Sequence, residues 1–129
     1  MSGVTVVSGP PCAGKTTYVR QHAAPGDLVL DFDALAVALG SPDPHEHPPA
    51  VAAAAHVAYR AVLREGLPAG GRAWIVQSRM PRASRKAWQR SGAAVVELSA
   101  EADELHRRAT AAGRGEAAHR RIDAFLVAG

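Results

Sequence analysis

Cysteine is almost absent from this 129-residue chain, and Cys12 is the only one. Without a partner thiol no internal disulfide can form, and the count suits a reducing compartment. Aromatic residues make up only 5%, and no apolar run approaches the ~20 residues that a membrane-spanning helix needs. No basic-then-apolar leader opens the chain, so a cytoplasmic protein without a membrane partner is expected. Acidic residues are missing from one long stretch. None stands between Glu65 and Glu97, whereas Arg72, Arg79, Arg82, Arg85, Lys86 and Arg90 all fall there. The formal net charge is only +3, so this excess is local. A solvated helix face would account for such a block, but unopposed like charges repel one another, and an anionic partner relieves the repulsion.

With 47% hydrophobic and 21% charged residues, the composition is that of a folded globular protein. The length suits one domain over residues 1–129, and no internal repeat is visible. The pattern predicts short apolar strands at Val4 to Ser8, Asp27 to Asp33, Ala73 to Gln77 and Ala93 to Leu98. Helical stretches alternate with them: Lys15 to Ala24, Asp33 to Leu39, Ala50 to Glu65, Arg82 to Ser91, one capped by Ser99 and running to about Ala112, and Glu116 to Val127. Strands alternating with helices imply an α/β fold with a parallel sheet of about four strands flanked by helices. Ser41 to Pro49 holds too many prolines for helix or strand and reads as a loop.

The first strand runs directly into Gly9-Pro10-Pro11-Cys12-Ala13-Gly14-Lys15-Thr16-Thr17, which reads G-x-x-x-x-G-K-T, the phosphate-binding loop. Gly9 and Gly14 permit backbone angles that turn successive N–H groups inward around phosphate oxygens. Lys15 would reach the β- and γ-phosphates, and the Thr16 hydroxyl would complete the coordination of a Mg²⁺ ion bridging them. The helix starting near Thr17 would point its positive end at the same phosphates. The expected ligand is ATP or GTP with Mg²⁺. An apolar strand before the loop and a helix after it make a chance match a poor explanation.

Other chemistry should gather at the carboxyl ends of the strands, where open α/β sheets bind ligands. Asp31 and Asp33 fall at the end of the second strand. A carboxylate there can take a proton from an attacking hydroxyl or hold a metal through water, although Asp33 before Ala34-Leu35-Ala36 is also a good helix cap. Arg114, between Gly113 and Gly115, fits a lid over about residues 107–116 that brings a cation to the transferred phosphoryl group. Arg107 and Arg108 are supporting candidates. Arg79 and Arg82, just after the third strand, are candidates for binding an acceptor phosphate. His45, Glu46 and His47 show no metal-ligand spacing and read as part of a solvated loop. Trp74 and Trp88 read as core, and Cys12 as tolerated in the loop without a catalytic role.

These residues resemble small P-loop kinases of the polynucleotide kinase and zeta-toxin group, including compact phage-type proteins that phosphorylate hydroxymethylated bases in DNA. Leu30-Asp31-Phe32-Asp33-Ala34-Leu35 is similar to the group's second-strand motif, whose aspartate acts as general base and matches at Asp33. Leu105 to Gly115 is similar to the arginine-bearing lid, with Arg114 at the lid arginine. Arg121-Ile122-Asp123-Ala124-Phe125 is similar to the phage-type C-terminal helix. The third strand ends in Val76-Gln77-Ser78 without the aspartate that many P-loop ATPases carry, which argues against a switch or motor. The resemblance implies a three-layer P-loop NTPase fold and transfer of the γ-phosphoryl group to a hydroxyl. The basic block directs the acceptor reading to a nucleic acid or nucleotide. A small-metabolite or antibiotic hydroxyl and a non-catalytic nucleotide-binding regulatory module are the alternatives.

Overall fold

The computed structural model describes residues 3–68 and 70–128. Four parallel strands, β1 (Val4–Ser8), β2 (Leu28–Leu30), β3 (Ala73–Gln77) and β4 (Ala94–Glu97), form one sheet in the order β2-β3-β1-β4. In the central pair, Val4 lies opposite Ala73 and Ser8 opposite Gln77. Helices α1 (Lys15–His22), α2 (Phe32–Ala38), α3 (Pro49–Ala61), α4 (Arg82–Arg90), α5 (Ala102–Ala111) and α6 (Glu116–Ala128) fill the connections, and α3 continues as a π-helical turn over Val62–Gly66.

The side-chain alternation of β1 and β3 separates two cores. Val4, Val6, Ala73 and Ile75 face one side, where Tyr59, Val62 and Leu63 from α3 and its extension pack with Trp88 of α4. Val7 and Trp74 face the other side and pack on Val19 of α1. Both faces are therefore covered, as valines on both faces of β1 require. Full burial of Val6, Val7 and Ile75 contributes roughly 1.5–3 kcal/mol each. The Tyr59 hydroxyl donates to the Val76 carbonyl at 2.7 Å, and burial pushes its pKa up to about 12. That bond holds α3 beside the carboxyl end of β3.

The departures from the sequence reading have local causes. The second strand was expected to run from Asp27 to Asp33 but keeps only Leu28–Leu30. At its start, Asp27 uses its carboxylate to accept from the Ala24 N–H and from Trp74 Nε1, which keeps it in the turn after α1. At its end, Asp31 caps α2 by accepting the Asp33 N–H at 3.0 Å. The cap is therefore Asp31, and Asp33 lies inside the first turn. Helix α5 is preceded by Glu101, which makes no side-chain cap, so the cap expected at Ser99 is not formed. No described helix is long and apolar enough to cross a membrane.

The strand order sets the position of the site. From β1 the chain crosses to β2 on one side, whereas from β3 it crosses to β4 on the other. Adjacent strands whose connections diverge leave a crevice beyond their carboxyl ends, and Gly9 opens directly into it.

Candidate functional site

The loop after β1 is held in a conformation that its residue types select. Gly9 has φ +155°, and a Cβ there would lie 2.5 Å from the Leu98 carbonyl oxygen, so only glycine fits. Cys12 (φ 65°) and Gly14 (φ 97°) add two further left-handed residues, the alternation that turns N–H groups toward one concavity. Gly14 then caps α1 with its carbonyl accepting the Tyr18 N–H at 2.8 Å. No acidic residue occupies the first turn of α1, which leaves its positive end open to an anion. Lys15 folds back, and its Nζ donates to the Gly9 carbonyl at 2.6 Å. Burial lowers its pKa to about 8, against the opposing pull of Asp31 and Asp33 and with help from Arg114.

A cleft of about 980 Å³ opens in front of this loop. Pro11 to Thr17 line it together with Asp31, Phe32 and Asp33, and so do Arg108 of α5, Arg114 of the connection after it and Arg121 of α6. Lys15, Thr16, Asp31, Asp33 and Arg114, which the sequence singled out, therefore share one cleft. Gly9 and Pro10 are buried beneath it. Arg79 and Arg82 are not among its lining residues.

Arg114 owes its position to the way α5 ends. Gly113 has φ +71°, the Gly113 N–H donates to the Thr110 carbonyl at 3.0 Å, and the Arg114 N–H donates to the Ala109 carbonyl at 2.9 Å. This paired closure is the Schellman motif, and it turns the chain so that Arg114 heads back toward the phosphate loop. There its guanidinium meets Cys12 Sγ at 3.3 Å, while Arg108 donates to the Cys12 carbonyl at 3.0 Å. Beneath these contacts, Leu105, Ala109 and Ile122 form a third apolar cluster with Cys12 and Ala13 against it. Helices α5 and α6 are thus docked on the loop. Arg107 points elsewhere and pairs with Glu104.

The segment between α2 and α3 is a loop with His45 and Glu46 exposed, as expected, and departs from the solvated reading at His47. Pro42, Asp43 and Pro44 are exposed, but the His47 side chain is only 4% exposed. His47 Nε2 lies 2.7 Å from Asp33 Oδ1, and its Nδ1 lies 2.7 Å from the hydroxyl of buried Ser41. His45 Nδ1 approaches Asp33 Oδ2 at 3.6 Å. Glu46 binds Arg121 of α6 in two-pronged fashion at 2.7 and 2.8 Å, and these bonds hold its carboxyl below the usual range. His56 lies against Phe32 with ring centroids 4.3 Å apart. The segment is a strap tied to α2 at one point and to α6 at another. Sequence reasoning passed over Ser41, Glu46, His47 and Arg121 because each finds its partner only after the chain has folded back. The one available signal was a run of chemistry-bearing side chains between prolines, one short helix after the Asp31/Asp33 pair.

The basic block is divided by the fold. Arg72 lies 4.0 Å from Asp27 and over the Trp74 ring at 5.2 Å, and Arg85 pairs with Glu97 at 2.7 Å. Arg79 sits over the Phe125 ring at 4.9 Å. Arg82, Lys86 and Arg90 recur every four residues along exposed positions of α4, and among the described residues none of them forms an ion pair. Trp88 packs against the core.

Thr16 is exposed and lines the cleft together with Asp31 and Asp33, a donor set that suits Mg²⁺, which keeps waters and takes few protein ligands beside substrate phosphates. Among the described residues there is no cluster of His, Cys, Asp and Glu that would cage a metal by itself.

Comparison with known proteins agrees with this geometry. No curated protein matches the chain. A family model described as AAA domain matches residues 4–125, from the first residue of β1 to the last turns of α6. With its phosphate loop, its parallel sheet and its cleft all inside that match, the chain belongs to the AAA domain family and has the P-loop NTPase fold.

Proposed function

We propose that this protein transfers the γ-phosphoryl group of ATP to a hydroxyl group of an acceptor. The observation that carries the reading is that Asp33 lines the same cleft as Lys15 and Arg114.

In this reaction the acceptor O–H gives its proton to the Asp33 carboxylate while the oxygen attacks the γ-phosphorus. The acceptor O–P bond forms, the bond from that phosphorus to the β,γ-bridging oxygen breaks, and its electron pair stays on ADP. Lys15 holds the β- and γ-phosphates, the inward N–H groups of the loop hold phosphate oxygens, and Arg114 supplies positive charge beside the group in flight. Bound Mg²⁺, held by Thr16 and water-bridged carboxylate, would neutralise phosphate charge.

A nucleic acid or nucleotide is the acceptor we favour, on the strength of the exposed Arg82, Lys86 and Arg90 stripe. Because Arg79 and Arg82 lie outside the cleft lining, they would hold a polymer beside the site rather than a phosphate within it. A second reading, a small hydroxyl compound, draws support from the strap: Phe32, His45 and His56 wall the acceptor end without any residue of the stripe. Labelled γ-phosphoryl transfer to a panel of 5′-hydroxyl oligonucleotides, hydroxymethylated DNA, nucleosides and small alcohols tests both. Label on the nucleic-acid members supports the first reading, and label confined to small alcohols supports the second. Tight ATP binding with no labelled acceptor and no phosphate release would leave a nucleotide-binding module.

A further inference from the structure

Asp33 does not face the cleft unsupported. One carboxylate oxygen, Oδ1, is taken by His47 Nε2 at 2.7 Å, and the other, Oδ2, has only His45 at 3.6 Å, on an exposed edge. His47 is the better shielded partner, since its side chain is 4% exposed and that of Asp33 is 45% exposed. The imidazole is also fixed from its far side. Ser41 Oγ lies 2.7 Å from His47 Nδ1, and the Ser41 N–H donates to the Ala36 carbonyl at 2.9 Å, which ties the serine to the end of α2. The Phe32 ring meets the imidazole edge-on, with centroids 5.7 Å apart.

As a base Asp33 acts in its carboxylate form, which only accepts, so His47 Nε2 must carry the hydrogen of the bond to Oδ1. Ser41 has a single hydroxyl hydrogen. Given to His47 Nδ1, it fixes the neutral tautomer that carries its hydrogen on Nε2. Given instead to the Asp43 carbonyl, 2.8 Å away, it leaves Ser41 Oγ to accept Nδ1–H from a doubly protonated ring. Both arrangements aim Nε2–H at Asp33 Oδ1. We propose that His47 is a positioning residue for Asp33: anchored by Ser41, it holds Oδ1 so that Oδ2 is the oxygen presented to the acceptor hydroxyl. The strap thereby belongs to the activating machinery as well as to the cleft wall. A carboxylate free to rotate about its Cβ–Cγ bond would spend part of its time with neither oxygen aligned, and fixing it raises the rate without touching the acceptor.

The inference rests on Asp33 acting as the base, and a double-mutant cycle separates the two claims. The probe is labelled γ-phosphoryl transfer from ATP to the panel members above, with water as the default acceptor. Asp33→Asn alone should lower kcat by ~10²-fold or more. His47→Leu should lower kcat by about 10-fold with the KM for ATP unchanged. His47→Gln, which keeps an N–H donor of similar reach, should stay within about 3-fold of the natural protein. In the Asp33→Asn background, His47→Leu should cause no further loss. If His47→Leu slows that background as much as it slows the natural protein, or if His47→Gln fails to rescue while melting normally, His47 is structural and the inference falls. If Asp33→Asn leaves kcat unchanged, the base assignment itself falls and takes the inference with it.

Discussion

Lys15 carries the most informative charge in the molecule. Its ammonium is lowered to about 8, chiefly by burial, although Asp31 and Asp33 lie close enough to oppose the shift. Between pH about 8 and 10.5 the unfolded chain holds a proton that the folded chain has lost, so the cost of burying this charge is relieved as pH rises through that window. Triphosphate favours the charged form. Binding above pH about 8 should therefore take up a proton, and affinity for a non-hydrolysable ATP analogue should weaken by up to about tenfold per pH unit there. Calorimetry at pH 7 and 9 in buffers of different ionisation enthalpy reads both effects, and an affinity constant across that range would contradict them. The two aspartates, two residues apart in sequence, have different partners. Asp31 spends one oxygen on the Asp33 N–H, whereas Asp33 faces the cleft with one oxygen held by an imidazole. Arg114→Ala should lower transfer on the order of 10²-fold or more while leaving ATP binding within several-fold, since its charge matters most as the phosphoryl group moves. Equal losses in binding and turnover would reduce it to a docking residue.

Two connecting segments, the expected lid between α5 and α6 and the strap between α2 and α3, contribute to the cleft lining, and each depends on a local device. In the lid, Gly113 supplies the left-handed residue that ends α5, while Gly115 needs no such angle and has open space around it. Gly113→Ala should cost roughly 1 kcal/mol, a fall of about 4 °C in Tm, and should slow transfer by displacing Arg114. Gly115→Ala should do neither, and matching effects from the two variants would remove the Schellman closure from the account. In the strap, the Glu46–Arg121 pair is about half exposed on both sides, so it adds little stability and serves to tie one segment to the other. The phosphate loop and the turn at Gly113 were legible in the sequence because their constraints act within a few residues, whereas Gly115 shows no such constraint. The strap was not. Ser41, His47 and Asp33 come together only because α2 caps at Asp31 and reverses at Gly40, and Glu46 finds Arg121 from 75 residues away. Proline content marked the segment as irregular, and most of it is exposed, but it gave no sign that Ser41 and His47 are shielded.

At the scale of the whole molecule, strand order and charge distribution decide what the cleft can meet. The alternation of short strands with helices was sufficient to anticipate a parallel sheet, but the order β2-β3-β1-β4 was beyond it, because crossovers of similar length can land on either side. The same long-range pairing divided the basic block. Arg72 and Arg85 found acids far off in sequence, and Arg82, Lys86 and Arg90 remained exposed along α4. If that stripe meets nucleic acid, binding to a duplex oligonucleotide should weaken steeply with salt, and replacing all three with alanine should reduce the log–log slope by about 2 to 3. An unchanged slope would free the stripe from any such role and favour a small acceptor. Across all three scales the account comes down to one event, movement of a phosphoryl group from ATP to a hydroxyl opposite the phosphate loop. Its most direct measurement is labelled γ-phosphate transfer by the natural protein and by Asp33→Asn, with ATP affinity determined for both. The account predicts a labelled acceptor, and in the variant a loss of ~10²-fold or more with ATP affinity preserved. Label appearing only as free phosphate, or at the same rate on the acceptor with Asn at position 33, would contradict it.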